Sequence, residues 1–391
     1  MPDRGHELVS AFWRRFGHPP KWVGEAAGRV NLIGEHTDYN EGFVLPVAID
    51  RTTLVAAGPS AHSLSRVWAI DLRDEADFDA REPDRVRDPS WVNYVVGAAW
   101  ALVRAGFPPG QVDMAVQSTV PMGAGLSSSA ALEVATTAVL ASAAGAALPP
   151  RDLALLAHRA ESEFVGVPCG VMDQFVSALA QPDTALLIDC RSLQLQWEPL
   201  ELTRQGLALV VVDSAVRRRL ADSAYKERRE QCQQAARLLE RFLSKPIRAL
   251  RDVSAVELDS VGSDLPPVLL KRARHVITEN ARVLRCVEAL RQRRLDELGA
   301  LLAESHRSLR DDYQVSCPEL DLLVRLAWNT RGVVGARLTG AGFGGCTVNL
   351  VHADAVGTFA REVVEEYRRR AGKPATMHVC RAAGGVSLTT L

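Results

Sequence analysis

Apolar residues in the first third of the chain fall into short, β-branched blocks, whereas later they recur at helical spacing, with glycine and proline clusters between. Residues 30–33 (VNLI), 43–49 (FVLPVAI), 53–57 and 112–116 are bounded by turn residues and are expected to be strands. Helical spacing marks 91–105, 127–144 and 151–164, the last two parted by punctuation at 145–150. Two compact apolar runs, 184–188 and 207–212 (LALVVV), read as buried strands with a domain boundary between them, giving domains 1–200 and 201–391. Amphipathic helices are expected at 220–242, 269–294, 298–309 and 318–329. The chain then closes as strand (335–339), glycine loop (340–345), strand (346–351), helix (355–371) and strand (376–380). The pattern is that of a two-domain α+β protein.

Composition narrows the function. The 391 residues are 47% apolar, enough for substantial cores, and 46 basic residues against 47 acidic ones leave a net charge of -1. No global field selects nucleic acid or anionic lipid, so neither is an expected partner. Arg217, Arg218, Arg219, Lys226, Arg228 and Arg229 do cluster, but Asp222, Glu227 and Glu230 are interleaved and stacking aromatics are scarce. These are read as solvated helix faces. Seven dispersed cysteines without a CxxC pair fit reduced thiols, the N-terminus lacks a secretory pattern, and the Ala-rich stretch 130–148 is interrupted by polar residues. A cytoplasmic protein without an obligate protein partner is expected.

Three motifs carry chemistry. Residues 120–131, VPMGAGLSSSAA, place Gly123 and Gly125 before a helix opened by Ser127, Ser128 and Ser129, so unpaired N–H groups and hydroxyls converge on an anion. No lysine follows the last glycine, unlike a Walker A loop, and positive charge must come from elsewhere. Read alone, the same residues also suit a serine cluster capping a helix. The second motif packs Arg29, Glu35, His36 and Asp38 around Gly34, a polar density that suits a sugar with several hydroxyls; a metal site would want a different spacing. The third, LTGAGFGGC at 338–346, contains G-x-G-x-x-G but opens a strand and not a helix, which rules out the dinucleotide reading. Asp173, in CGVMDQ, is an acid in an apolar run and equally suits a helix cap or a catalytic group.

Together these segments resemble the GHMP kinase superfamily and, within it, the galactokinase family. GRVNLIGEHTDYNEGFVLP is similar to that family's sugar signature, VPMGAGLSSSAALEVA to its phosphate loop and LTGAGFGGC to its third motif, with PCGVMDQF and LLIDCRSL between. The resemblance implies an N-terminal domain like ribosomal protein S5 domain 2, a ferredoxin-like C-terminal α/β domain, and an active site in the cleft between them. It implies an ATP-dependent kinase that phosphorylates α-D-galactose at C1, with magnesium as cofactor. Asp173 and Arg29 are the implied catalytic pair. Glu35, His36, Asp38, Gly170, Asp173 and Tyr225 are the implied sugar contacts. Gly123, Ala124, Gly125, Leu126, Ser127, Ser128 and Ser129, with Trp91 and Tyr94 near the adenine, would bind ATP, and Ser129, Ser128 and Glu161 would hold the metal.

The sequence departs from the family pattern at Ala27, usually proline, at Glu41, usually glycine or a small polar residue, and at Arg218 and Ala224, usually His and Glu. These leave sugar choice open among galactose, N-acetylgalactosamine, galacturonate and arabinose. A sugar-and-ATP sensor without turnover is the competing class, and the intact 127–131 loop argues against it.

Overall fold

The computed structural model describes residues 3–217 and 221–391. Helix α1 (Asp3–Phe16) leads into β1 (Trp22–Asn31), followed by β2 (Phe43–Val44), β3 (Pro46–Pro59), β4 (Ser65–Ala69) and β5 (Asp74–Phe78). Next come α2 (Asn93–Arg104), β6 (Val112–Ser118), α3 (Ser128–Ala143), α4 (Pro150–Arg159) and α5 (Met172–Leu179). Strands β7 (Thr184–Asp189), β8 (Gln194–Pro199) and β9 (Leu207–Asp213) precede α6 (Ala221–Leu243), α7 (Ala255–Val261), α8 (Pro267–Arg291), α9 (Leu295–Ser308) and α10 (Pro318–Trp328). Strands β10 (Val333–Thr339), β11 (Cys346–His352), β12 (Thr376–Cys380) and β13 (Ser387–Thr390) complete the chain, with a helical run at 356–371 between β11 and β12.

The first sheet has the order β13-β1-β3-β6-β4-β5, and only β4 and β6 pair in parallel. One face carries α2 to α5 through an alanine- and valine-rich core, and the other carries Leu8 and Phe12 of α1 against Val23, Leu54 and Ala56. The second sheet has the order β10-β11-β9-β12. Its central strand β9 shows why LALVVV is apolar throughout: Leu209 and Val211 enter one core, while Val210 and Val212 enter another built with α10 and residues 356–371. Successive side chains point to opposite faces, and both faces are covered. The core that takes Leu209 also takes Val30, Leu32, Ile33 and Val47, so a single apolar mass ties the first strands to the second sheet.

Most expected elements appear within a few residues, and the differences have local causes. Residues 43–49 and 53–57 are not two equal strands: β3 is one 14-residue strand, because Thr52 and Thr53 keep pairing with β1 beyond a register shift between Ala27 and Arg29. The helix expected to run to residue 164 changes to a π-helical turn over Ala160–Val165. Asp173 lies in the first turn of α5. Strand β13, unforeseen in the sequence, returns to pair with Trp22 to Glu25 of β1. Of the helix expected at 220–242, Leu220 lies outside the described residues, as do Arg218 and Arg219. Among the described residues, no helix is long and apolar enough to cross a membrane.

The packing of β1 against the phosphate loop positions the site. Gly28 sits where an added Cβ would lie 2.8 Å from the Leu126 carbonyl oxygen and 2.8 Å from Val120, and the next amide, Arg29 N–H, donates to that same carbonyl at 3.0 Å. Gly28→Val is therefore expected to overpack this contact and lower folding stability by about 1–3 kcal/mol. Thermal denaturation of the variant checks it, and an unchanged Tm would contradict the packing argument.

Candidate active site

Arg29 leaves β1 pointing at α5. Its Nε donates to Asp173 Oδ1 at 2.8 Å and its Nη2 to Oδ2 at 2.7 Å, while Nη1 donates to the Gly125 carbonyl at 2.7 Å. One buried guanidinium thus joins the acid to the phosphate loop in a bidentate geometry. Ser127, at a left-handed φ of 59° just before α3, donates its hydroxyl to Asp173 Oδ2 at 2.5 Å. Its hydroxyl is thus engaged; Ser128 and Ser129 line the cavity beside it with Gly123 and Gly125, the Ser129 side chain hydrogen-bonded to Glu161. Ala124 and Leu126, expected to bind ATP, are instead buried in the core, backbone included, and do not line the cavity, because their side chains pack among the apolar residues beneath the loop.

That cavity encloses about 720 Å³ and brings nearly all the expected residues together: Arg29, Glu35, His36, Asp38, Trp91, Tyr94, Glu161, Gly170, Asp173 and Tyr225 line it, beside the glycine loop's Gly340 and Ala341. Asp38 packs so closely on Gly170 that a Cβ there would lie 2.0 Å from Asp38 Oδ2. Burial, followed by the nearby charge of Asp173, raises the Asp38 pKa from 3.8 to about 6.

Glu35 and His36 have a second task. The Glu35 carboxylate pairs with the fully buried Arg337, accepts from Asn31 Nδ2 at 2.9 Å and from Gly340 N–H at 2.8 Å, and so fixes the glycine loop onto the end of β1. Burial still pushes its carboxyl above the ordinary range, against the pull of Arg337. His36 Nε2 lies 3.2 Å from the Ala341 carbonyl oxygen and Nδ1 lies 2.8 Å from the Tyr39 hydroxyl. The carbonyl can only accept, so Nε2 carries the proton; in the neutral ring Nδ1 then accepts from Tyr39. The Tyr39 oxygen in turn accepts a hydrogen bond from the Tyr313 hydroxyl at 2.7 Å, and the Tyr313 oxygen accepts one from the Cys232 thiol at 3.1 Å. A directed chain of hydrogen bonds thereby orients the ring.

Two groups escaped the sequence reading. Arg217 lines the cavity beside Gly123, held by Asp213 Oδ2 at 3.1 Å, and so places a cation next to a phosphate loop that has no lysine of its own. The signal was present in the missing lysine, but the position was not. Gln174 Nε2 bridges Glu161 Oε2 at 2.5 Å and Glu133 Oε2 at 3.0 Å, joining two buried carboxyls. Burial, then the charge of Asp173, pushes Glu161 up to about 7, and Glu133 is raised well above the ordinary range.

Known proteins with this arrangement share more than the fold. Residues 10–59 match the galactokinase galactose-binding signature, 93–181 the GHMP kinase N-terminal domain and 286–369 the GHMP kinase C-terminal domain. A galactokinase of Chloroflexus aurantiacus is 49% identical over 380 residues, covering 97% of this chain and 96% of the relative. The chain belongs to the galactokinase family. A galactokinase of Roseiflexus sp. is 48% identical, covering 99% of this chain and 97% of its own. The crystal structure of Lactococcus lactis galactokinase complexed with galactose superposes with a TM-score of 0.93 at 33% identity, covering 99% of this chain and all of that one. Mevalonate kinase of Methanococcus jannaschii, with a TM-score of 0.64 and 18% identity over 93% of this chain and 98% of its own, shares the fold. The galactokinase fold is thus the two-domain GHMP kinase fold, and ATP is the co-substrate that this kinase family implies.

The raised Asp38 carboxyl has a stability consequence. The folded state holds its proton more tightly than the unfolded chain, so this group costs stability as pH rises from about 4 to about 6, and the cost is complete above that window. Asp38→Asn is expected to melt at a higher temperature than the parent at pH 8, with the difference shrinking as pH falls to 4. Calorimetry across that range checks the sign.

Proposed function

We propose that this galactokinase-family enzyme transfers the γ-phosphoryl group of ATP to the C1 hydroxyl of α-D-galactose, giving galactose 1-phosphate and ADP, and acts in the cytoplasm. The observation that carries the site assignment is the bidentate Arg29–Asp173 pair at the junction of sugar loop and phosphate loop. Asp38, Gly170, His36 and Tyr225 surround the sugar and Glu35 closes one wall, while Gly123, Gly125, Ser127, Ser128 and Ser129 hold the phosphates and Trp91 and Tyr94, in the same lining, serve the adenine. Residues 1–200 and 201–391 serve as the two domains, with the tail that forms β13 returned to the first sheet.

Both Asp173 oxygens already accept hydrogen bonds from Arg29 and Ser127, so this carboxylate orients the C1 hydroxyl along a fixed direction toward the γ-phosphorus. Arg29, bonded to both Asp173 and the phosphate loop, faces the charge that spreads over the transferring phosphoryl oxygens, and Arg217 adds a second cation. Ser129 and Glu161 offer a hydroxyl and a carboxylate side by side, with the orphaned Oε1 of buried Glu133 behind them, and this oxygen-only set fits magnesium. When bound, magnesium would be held by Glu161 and Ser129, with Ser128 adjacent, and would neutralise phosphate charge.

Asp173→Asn keeps the size of the side chain and removes the charge. Turnover is expected to fall at least 100-fold with ATP binding within about twofold of the parent, since phosphoryl transfer depends chiefly on positioning and electrostatics. Steady-state kinetics with ATP-binding calorimetry reads both, and near-parent turnover would remove Asp173 from the mechanism.

Sugar choice follows from paired hydrogen bonds. A buried polar group left unmatched by an epimer costs about 1–3 kcal/mol, so galactose is expected to exceed glucose in kcat/KM by roughly 10-fold to 100-fold. The close packing of Asp38 on Gly170 also leaves no slack in that wall of the pocket, and N-acetylgalactosamine should be a poor substrate. ATP consumption with galactose, glucose, N-acetylgalactosamine, galacturonate and arabinose tests this, and preference for an acetylated or uronic sugar would replace galactose as the substrate.

A further inference from the structure

Glu41 stands at the end of the loop that presents Asp38, and its backbone is left-handed, with φ 58° and ψ 24°. A glycine adopts that conformation without a Cβ penalty; a glutamate does not. The side chain shows what is gained. Glu41 Oε2 lies 2.7 Å from Arg191 Nε, and Oε1 lies 2.5 Å from Arg248 Nε. Arg191 continues to Asp252 Oδ1 at 2.7 Å, and Arg251 Nη1 donates to the Glu41 carbonyl at 2.8 Å while its other nitrogen reaches Asp189 Oδ2 at 2.9 Å. The Arg251 guanidinium also lies over the Phe43 ring, 4.2 Å from its centre.

Six charged residues from three places in the sequence are thus knotted at the back of the loop: Glu41 itself, Asp189 and Arg191 at the end of β7, and Arg248, Arg251 and Asp252 after α6. The anchors are themselves fixed. Asp252 Oδ2 accepts from the Arg248 and Ala249 amides at 2.9 and 3.0 Å, and Asp189 Oδ1 from the Arg191 amide at 2.9 Å. The force reaches Asp38 by a short path, because Glu41 N–H donates to the Asp38 carbonyl at 3.1 Å and Gly42 N–H to the Thr37 carbonyl at 2.8 Å. These turn bonds make residues 37–42 one rigid piece.

We infer that Glu41 is a positioning residue for sugar binding: its ion pairs to Arg191 and Arg248 brace the 37–42 loop from behind, so that Asp38 is held against Gly170 before the sugar arrives. Most of these side chains are only partly buried, so the brace is weakened by salt, and sugar affinity carries that salt dependence. The inference rests on the reading that Asp38 contacts the sugar.

The test is the KM for galactose and for ATP, with kcat, at about 50 mM and about 500 mM KCl. Glu41→Gln is expected to raise the galactose KM about 3-fold to 10-fold at low salt and to flatten its rise with salt, with the ATP KM and kcat within about twofold of the parent. Glu41→Gly, which removes the backbone penalty and so keeps the fold even if the glutamine variant loses stability, is expected to behave alike. Combining Glu41→Gln with Arg191→Gln should add little to either alone, as residues of one network do. Asp38→Asn is measured in parallel. If it raises the galactose KM while neither Glu41 variant does, the brace is overturned and the sugar reading stands. If Asp38→Asn leaves the galactose KM unchanged, the sugar reading itself falls, and the brace with it.

Discussion

Arg337 is fully buried, and its position decides how the two halves of the site meet. A buried guanidinium needs acceptors, and here Nη1 reaches the Asn31 and Leu32 carbonyls at 3.1 and 3.0 Å and Nη2 the Glu35 carboxylate, while Nε has no hydrogen-bond partner among the described residues. Those acceptors all lie where β1 ends, while Arg337 belongs to β10 of the other sheet. The pair therefore fixes the outgoing loop of the first sheet on the glycine turn of the second, and Glu35 completes the clamp by accepting from Gly340. Removing either partner would leave a buried charge without compensation, which is why the clamp behaves as a constraint on the whole cleft.

From that clamp the remaining geometry follows in short steps. With β1 held, Gly28 admits the phosphate loop, and the Arg29 amide and guanidinium both take carbonyls of that loop. Asp173 then meets Arg29 because α5 packs on the alanine-rich face of the same sheet. His36, one residue beyond Glu35, is turned by its tyrosine chain toward Ala341. Each contact uses a group already fixed by the one before, so the cavity is preorganised rather than assembled by its ligands.

The site also holds like charges at close range. Asp38, Asp173, Glu161 and Glu133 share one region, and the raised carboxyls of Asp38 and Glu161 record the cost of holding them there. Such crowding opposes folding and favours ligands that bring hydroxyl donors or cations. The hydroxyls of a sugar meet the first demand, which is the usual exchange of stability for function at a preorganised site.

By itself the sequence determined what local chemistry dictates. The β-branched runs, the alanine helix after a glycine–serine turn, and the dense polar signature after VNLI each follow from short-range preference, and their resemblance to the galactokinase family named the reaction. Roles were harder to read where they depend on partners hundreds of residues away. Glu35 looked like a group for ligand alone until Arg337 placed it in a buried pair, and Arg217 looked like one of many solvated arginines until the fold laid it over Gly123. Ser127 seemed free for phosphate, yet its hydroxyl belongs to Asp173. The return of β13 to β1 had no periodic signal strong enough to see, because all four residues of that edge strand are exposed and its pairing is made by backbone. Local sequence sets propensity and pattern; which charge neutralises which is decided only when long-range packing brings the groups together and takes away their water.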